Sequence, residues 1–441
     1  MQRYYEKVCA YMDYAHWDKS HIWHPFTQHQ GARPAPLVTR AQGATLFLAD
    51  GRTLIDGISS WWVNLHGHCH PYIVEALAAQ AHKLEQVIFA DFTHEEALGF
   101  TQALVPLLPP GLSRVFFSDN GSTAVEVALK MAIQYWYNLG TPKRKFVVLR
   151  GGYHGDTFGA MAVSARSPFS AAFAPLFFEV LAIDPPLRNA DHRLALAQLD
   201  EHLNQHDDIA GFIYEPLVQG TAGMMMQDPH GLDLLLTRAR QAGILCIADE
   251  VMTGFGRTGA LFASSAMEEQ PDIICLGKGL TAGMLPLSVT AAREFVFAAF
   301  LGASKERAFL HGHSFTANSL GCRVALASLE LLLAESCRLA RRSIEAAHQQ
   351  FRAELLASPE GEFCSDVRVQ GTILAVEIRT PEGTGYFNGL GETMAEFFVD
   401  GGVLLRPLGN IVYILPPYCI TAAELGKAHG LIRQFLRGYF P

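Results

Sequence analysis

Residues 244–262 read ILCIADEVMTGFGRTGALF: an apolar run, two adjacent acids at Asp249 and Glu250, then a glycine-rich stretch. Gly254, Gly256 and Gly259 formally satisfy G-x-G-x-x-G, the spacing that cradles a dinucleotide. That use requires the glycines to follow a strand at once and to open a helix whose N-terminus meets the pyrophosphate. Here Ala248 to Gly254 carry the chain away before the pattern is under way, and ALFASSAMEEQPD is a poor helix start. The acid expected about 20 positions on is replaced by Asp272, much closer to Gly259. The glycines therefore mark a tight irregular loop, not a nucleotide site.

Apolar runs like the one that opens this stretch recur along the chain. They are RVFFSD (114–119), KFVVLRGG (145–152), AGFIYEP (210–216), GILCIADE (243–250), DIICLGKG (272–279) and LPLSVTAA (285–292). Continuous apolar runs suit strands covered on both faces of a mainly parallel sheet. Helical patterns separate several of them. GSTAVEVALKMAIQYW places Val125, Ala128, Leu129 and Ala132 on one helical face, and Thr123-x-x-Glu126 resembles a capping box. The class is α/β. ATLFLADGRTLIDG reads as a hairpin around Asp50-Gly51. Beyond about residue 320 the pattern turns helical, followed by the short strands TILAVEI (372–378) and NIVYILPP (410–417) and a closing helix. The expected organisation is a segment 1–60 packing with a small domain, a large domain 61–325, and a smaller α+β domain 326–441.

Composition narrows the class. The chain has 441 residues, 49% hydrophobic and 17% charged, as in a well-packed globular enzyme. A net charge of −9 without a basic patch speaks against nucleic acid. The start, MQRYYEKVCAYMDYAHWDKSHIWHP, lacks the apolar core of a signal peptide, and the longest apolar stretch, FVFAAFLGA (295–303), is too short for a membrane span. Eight scattered cysteines contain no C-x-x-C, so a reduced, cytoplasmic setting is expected.

The chemistry lies at strand ends. In an open parallel sheet the carboxyl ends of neighbouring strands line one crevice, where ligands bind. Asp249 closes one apolar run and Lys278, between Gly277 and Gly279, closes the next. An accessible amine suits Schiff-base formation, and a facing carboxylate suits a protonated pyridine nitrogen, the pair that pyridoxal phosphate requires. From spacing alone a structural Asp–Lys ion pair reads equally well. SDNGSTAVE (118–126) follows a strand and opens a helix with Gly121, Ser122 and Thr123, a cup for a phosphate. Taken singly it is also an ordinary N-cap. Tyr153, in RGGYHGDT, stands where its ring can stack on a flat cofactor, and Glu215 ends AGFIYEP as either a ring contact or a structural acid. HGHCH (66–70) gathers three imidazoles and a thiol, but Gly67 and Pro71 suggest a turn and no second ligand pair follows, so no metal is expected.

Together these motifs resemble the class III, fold-type I pyridoxal-phosphate aminotransferases. ADEVMTGFGRTG with LGKGLTAGMLPLSVT is similar to the family's signature, and the motif order runs from residue 20 to 417. The resemblance implies a mainly parallel seven-stranded-type sheet and pyridoxal 5'-phosphate as cofactor. HIWHPFTQ, DGISSWWVNLHGHCHP and RPLGNIVYILPPY resemble the branch that aminates 8-amino-7-oxononanoate, typically with S-adenosylmethionine as donor.

By that resemblance Lys278 links to the cofactor and shuttles the proton, Asp249 pairs with the ring nitrogen and Tyr153 stacks on the ring. Gly121 and Ser122 hold the phosphate. Ser314 reaches the phosphate of a second subunit, with Gly312 and His313 beside it and Thr316 as a lesser substitute. This implies a homodimer with shared sites. Arg406 is implied to hold the oxononanoate carboxylate, Trp62 and Tyr413 to wall the pocket, and Arg257 to support it. Three departures stand out: Phe26 where S-adenosylmethionine users often have Tyr, HGHSFTAN in place of H-G-P-T-F, and Leu408 where Phe is frequent. The first two resemble lysine-dependent members, whereas Trp61-Trp62 and Tyr413 favour S-adenosylmethionine. Another ω-amine or ornithine-type transaminase is the wider alternative within the family.

Overall fold

A chain whose apolar runs lack alternation must bury both faces of its sheet, and this one does. The computed structural model describes residues 14–188 and 190–439; Cys9 and the first half of the charged start lie outside them. The central sheet has seven strands: β1 (Leu112–Ser118), β2 (Lys145–Leu149), β3 (Val180–Ile183), β4 (Ile209–Tyr214), β5 (Leu245–Asp249), β6 (Ile273–Leu276) and β7 (Ser288–Arg293). Their order is β1-β7-β6-β5-β4-β2-β3. Only β7 runs against the rest, pairing antiparallel with both β1 and β6. The sequence reading found six of these strands; β3, at the sheet edge, is short and only half buried.

Alternate residues of the central strands feed two separate cores. Phe212, Cys246 and Ile274 join the larger cluster on one face, while Ile213, Ile247 and Ile273 join a second cluster with Ala124, Val125, Ala128 and Ala132. Those four alanine and valine positions lie on helix α1 (Gly121–Asn138), which packs on β6 and β7. The cap of α1 differs from the expected Thr123–Glu126 box. Asn120 accepts from the Thr123 amide, and the Asn120 amide donates to Thr123 Oγ1. Asn outranks Thr as a cap because its carbonyl reaches the free amide without strain. Glu126 is thereby released to accept from the Gly159 and Ala160 amides.

Among the described residues three smaller sheets lie outside the central one, the least of them a pairing of Val218–Gln219 with Met225–Met226. The expected hairpin forms from Thr45–Leu48 and Thr53–Asp56, and the latter strand pairs in parallel with Val403–Leu404 near the C-terminus. Cys364–Gln370, Ile373–Ile378 and Ile411–Ile414 make an antiparallel three-stranded sheet. The helical stretch after residue 318 divides at Ala334 into Ser319–Leu333 and Glu335–Leu356. Among the described residues no helix is long and apolar enough to cross a membrane.

The glycine loop is explained by close backbone approach. Gly371, at φ +56°, faces Gly259, at φ +107°; a Cβ on Gly371 would overlap the 258–259 backbone, and Thr372 donates its amide to the Arg257 carbonyl. Arg257 is itself fully buried, and among the described residues no carboxylate is bonded to it. Its guanidinium donates to the carbonyls of Pro416, Trp62 and Asn64. One cation thus ties its own loop to two other segments, 62–64 and 416, by satisfying three buried carbonyls.

Phe212 is wholly buried at the centre of β4. Phe212→Ala should lower the free energy of unfolding by about 3–5 kcal/mol, the usual cost of an aromatic-sized cavity. Chemical denaturation checks this, and a loss below about 1 kcal/mol would show that the site collapses freely.

Candidate active site

Five segments deliver side chains to the carboxyl edge of the central sheet. At the end of β5, Asp249 Oδ1 accepts from the Val251 amide at 3.1 Å, and Oδ2 lies 2.7 Å from His154 Nδ1. Both side chains are almost fully buried. The next strand, β6, stops at Leu276, so Lys278 stands two residues past the strand rather than at its last position. Lys278 has φ +42°, a left-handed conformation that costs a side-chain-bearing residue and persists only where its surroundings impose it. A Cβ on Gly277 would lie 3.4 Å from Gly121 Cα, so the lysine turn rests against the start of α1.

Lys278 Nζ lies 5.0 Å from the centroid of the Trp62 ring. Among the described residues no hydrogen bond or ion pair occupies it. Burial lowers its pKa from the ordinary lysine value, opposed by the Asp249 and Glu215 carboxylates. Desolvation wins because the charged ammonium has lost water without gaining a close partner. An amine of this kind is a ready nucleophile.

The cup at the start of α1 follows from its cap. Asn120 occupies the Thr123 amide, which leaves the amides of Gly121 and Ser122 directed out of the helix end, the positive end of its dipole. Ser122 Oγ accepts from the Thr157 amide at 3.0 Å and lies 2.8 Å from Thr157 Oγ1. Gly155, at φ +129°, passes so close to Ser122 that any Cβ there would overlap the hydroxyl. The 153–157 loop therefore closes against the cup. Glu215 fixes the other end of that loop, accepting from the Tyr153 amide at 3.0 Å and the Gly220 amide at 2.9 Å. Burial raises the Glu215 carboxyl to about 7; nearby His154 pulls it down and Asp249 pushes it up. Burial also raises the Tyr153 phenol above its ordinary value.

A second wall is aromatic. Trp62 Nε1 donates to the Tyr413 hydroxyl at 3.0 Å, and both rings are buried. The Arg406 guanidinium lies 4.5 Å from the Trp61 ring and 6.0 Å from that of Phe26. Among the described residues Arg406 has no carboxylate partner. Phe26 meets Trp61 edge-on at 5.5 Å, and it has no hydroxyl to offer a polar ligand.

Not every expected residue gathers here. Gly312 and Ser314 are exposed. The Ser314 carbonyl accepts from Gln86, and Thr316 Oγ1 is engaged by the His313 backbone. Among the described residues none of the three positions Gly312, His313 or Ser314 bonds to Gly121, Ser122 or Lys278. The histidine stretch is taken up structurally: His66 Nε2 lies 3.0 Å from the Ser328 carbonyl and His68 Nε2 2.9 Å from Asp56.

The sequence reading missed His154. It is one of 18 histidines, and nothing in spacing ties it to Asp249, 95 residues away. Its place directly after Tyr153 in the same strand-end loop was the available signal.

Comparison with known proteins follows the geometry. The chain belongs to the class III aminotransferases: the family description Aminotransferase class-III matches residues 27–436. It is an aminotransferase by family. An adenosylmethionine-8-amino-7-oxononanoate aminotransferase of Synechococcus elongatus is 49% identical over 424 residues, covering 94% of this chain and 98% of that one. One of the same name from Geobacter sulfurreducens is 41% identical over 93% of this chain and 94% of its own. The crystal structure of a so-named enzyme from Methanocaldococcus jannaschii superposes with a TM-score of 0.90 at 31% identity, covering 96% and 98% of the two chains. An amine transaminase from an uncultivated Pseudomonas species, crystallised in a PLP-bound form, gives a TM-score of 0.88 at 28% identity over 95% and 98%.

The raised Glu215 carboxyl predicts a pH effect. Its folded value of about 7 lies above the ordinary 4.5. The stability it contributes is therefore full below about pH 4.5 and lost as pH rises through 7. Glu250, buried and raised to about 7 by the same cause, adds a second such loss. Glu215→Gln should make the denaturation midpoint fall less, or rise more, between pH 5 and 8 than in the wild type, against an unchanged background from Glu250 and from the buried His66, His348 and His429, whose lowered values act in the opposite direction. Parallel wild-type and variant curves would contradict the assignment.

Proposed function

We propose that this chain binds pyridoxal 5'-phosphate and transfers an amino group to 8-amino-7-oxononanoate, giving 7,8-diaminononanoate in biotin biosynthesis. S-adenosylmethionine is the proposed donor. The observation that carries the reading is the Lys278 amine, unpaired among the described residues and 5.0 Å from the Trp62 ring, with the Arg406 guanidinium, likewise without a carboxylate among them, 4.5 Å from the neighbouring Trp61 ring.

The residues present fit the cofactor. The Gly121 and Ser122 amides and the Ser122 hydroxyl make an anion cup, the loop that carries Tyr153 closes against it, and Asp249 supplies a buried carboxylate at the end of β5. Bound there, the cofactor supplies an electron sink for the substrate's amine-bearing carbon. Asp249 would hold a proton on the ring nitrogen, and His154 fixes the orientation of that carboxylate. Lys278 would supply the amine that holds the cofactor and would carry a proton at Nζ to and from the reacting carbon. Trp62 and Tyr413 exclude water beside it.

Arg406 selects an acid. A half-buried guanidinium without a protein carboxylate is suited to a bidentate carboxylate ligand, and 8-amino-7-oxononanoate ends in one. The exposed Ser314, whose side chain bonds to no residue of the cup among the described residues, is free to serve the phosphate of a second subunit, which supports a homodimer with shared sites. Phe26 favours a second donor reading: where a hydroxyl is missing, the amino-acid part of S-adenosylmethionine loses one contact and lysine becomes an alternative.

Mixing the yellow enzyme separately with S-adenosylmethionine and with lysine should bleach the visible cofactor band with the former. Bleaching by lysine alone would transfer the donor role to lysine. Lys278→Ala should lack both the band and turnover; a variant retaining both would remove the central residue from the reading.

A further inference from the structure

The segment that carries Trp61 and Trp62 is strained. Ser59, Ser60 and Trp62 have φ of +53°, +60° and +68°. Ser60 combines its positive φ with ψ −94°, outside the helical, extended and left-handed regions open to a residue with a side chain. Glycine would take such a backbone freely, yet no glycine stands at these positions. Strain of this kind persists only where the surroundings over-determine it, and it gathers where function needs one fixed geometry.

The surroundings here are one acid and one histidine. Asp56 is fully buried. Its Oδ1 accepts from the Ile58 amide at 3.1 Å, and its Oδ2 accepts from the Ser60 amide at 2.6 Å. His68 Nε2 lies 2.9 Å from the same Oδ2. A carboxylate has no hydrogen to give, so the imidazole donates. Among the described residues no lysine or arginine bonds to Asp56, so these three donors carry the whole burden of its lost water. His68 is itself fixed, exchanging backbone hydrogen bonds with Gly43 at 2.7 and 3.2 Å. The far side of the turn is tied as well: Ser59 Oγ donates to the Leu415 carbonyl at 2.8 Å, and the Ser59 carbonyl accepts from the Val63 and Asn64 amides.

The turn delivers the Trp62 ring. Its Nε1 donates to Tyr413, its edge packs so close to Gly220 that a Cβ there would lie 3.2 Å from it, and the Lys278 amine stands 5.0 Å from its centroid. We infer that Asp56, braced by His68, is a positioning residue: it holds the strained 58–60 turn that sets the Trp62 ring beside the Lys278 amine. The inference rests on the reading of Lys278 and Trp62 as parts of the site. It also gives the HGHCH stretch a task that needs no metal.

The test labels the enzyme with 5-fluorotryptophan, whose five fluorine resonances report the five tryptophans, and Trp62→Phe assigns one of them. In the cofactor-loaded enzyme, Asp56→Asn can turn an amide donor toward the Ser60 N–H. It should displace the Trp62 resonance and raise KM for 8-amino-7-oxononanoate at least about tenfold, more than it lowers kcat, as loss of one hydrogen bond to a buried charge requires. Adding Ser60→Gly to Asp56→Asn should return the resonance and most of the KM, because glycine takes that backbone without strain. His68→Leu should displace the resonance too, and His68→Gln, whose amide donates in place of the imidazole, should not. A resonance unmoved in Asp56→Asn, or moved and not returned by Ser60→Gly, would overturn the inference. If Asp56→Asn does not fold, the His68 pair decides, and an unmoved resonance in His68→Leu overturns it. A displaced and recovered resonance in an enzyme that does not turn over 8-amino-7-oxononanoate would sink the proposed substrate and support the brace.

Discussion

The contact on which the site depends is the buried pairing of Asp249 with His154. A carboxylate withdrawn from water at a strand end needs partners, and this one has two: the Val251 amide and the imidazole. Parallel strands place that carboxylate, the Lys278 turn and the Tyr153 loop on one edge, so a single sheet direction assembles groups from distant parts of the sequence. Had β5 run the other way, the acid would lie on the opposite edge. The antiparallel β7 lies between β1 and β6, and because those two run parallel to each other the Gly121–Ser122 cup and the Lys278 turn still emerge on one edge.

Burial acts with opposite sign on the acid and the base of the same crevice. It raises Glu215 toward neutrality and lowers Lys278 from the ordinary lysine value, in each case by penalising the charged form. The nearby charges oppose it at the lysine and divide at the glutamate. An amine kept reactive and an acid held by two backbone amides are the expected result in a space that excludes water.

Much of this was legible in the sequence. The strands were visible because buried parallel strands cannot alternate, and Asp249 and Lys278 stood out because each ends such a run. β3 was missed because an edge strand of four residues carries little of that signal. The α1 cap was assigned to the wrong pair because Asn120 competes for the same amide as the expected Thr–Glu box. His154 was invisible for another reason: its partner is supplied by folding, not by spacing. The left-handed backbone at Lys278 belongs to the same class, since nothing local demands it.

The most direct measurement is nitrogen-15 resonance of the ring nitrogen in labelled pyridoxal 5'-phosphate bound to the enzyme. The account predicts a protonated nitrogen in the wild type from pH 6 to 9, and loss of that proton in Asp249→Asn. An unprotonated nitrogen in the wild type would contradict it, because the buried carboxylate at the end of β5 would then be serving the fold alone.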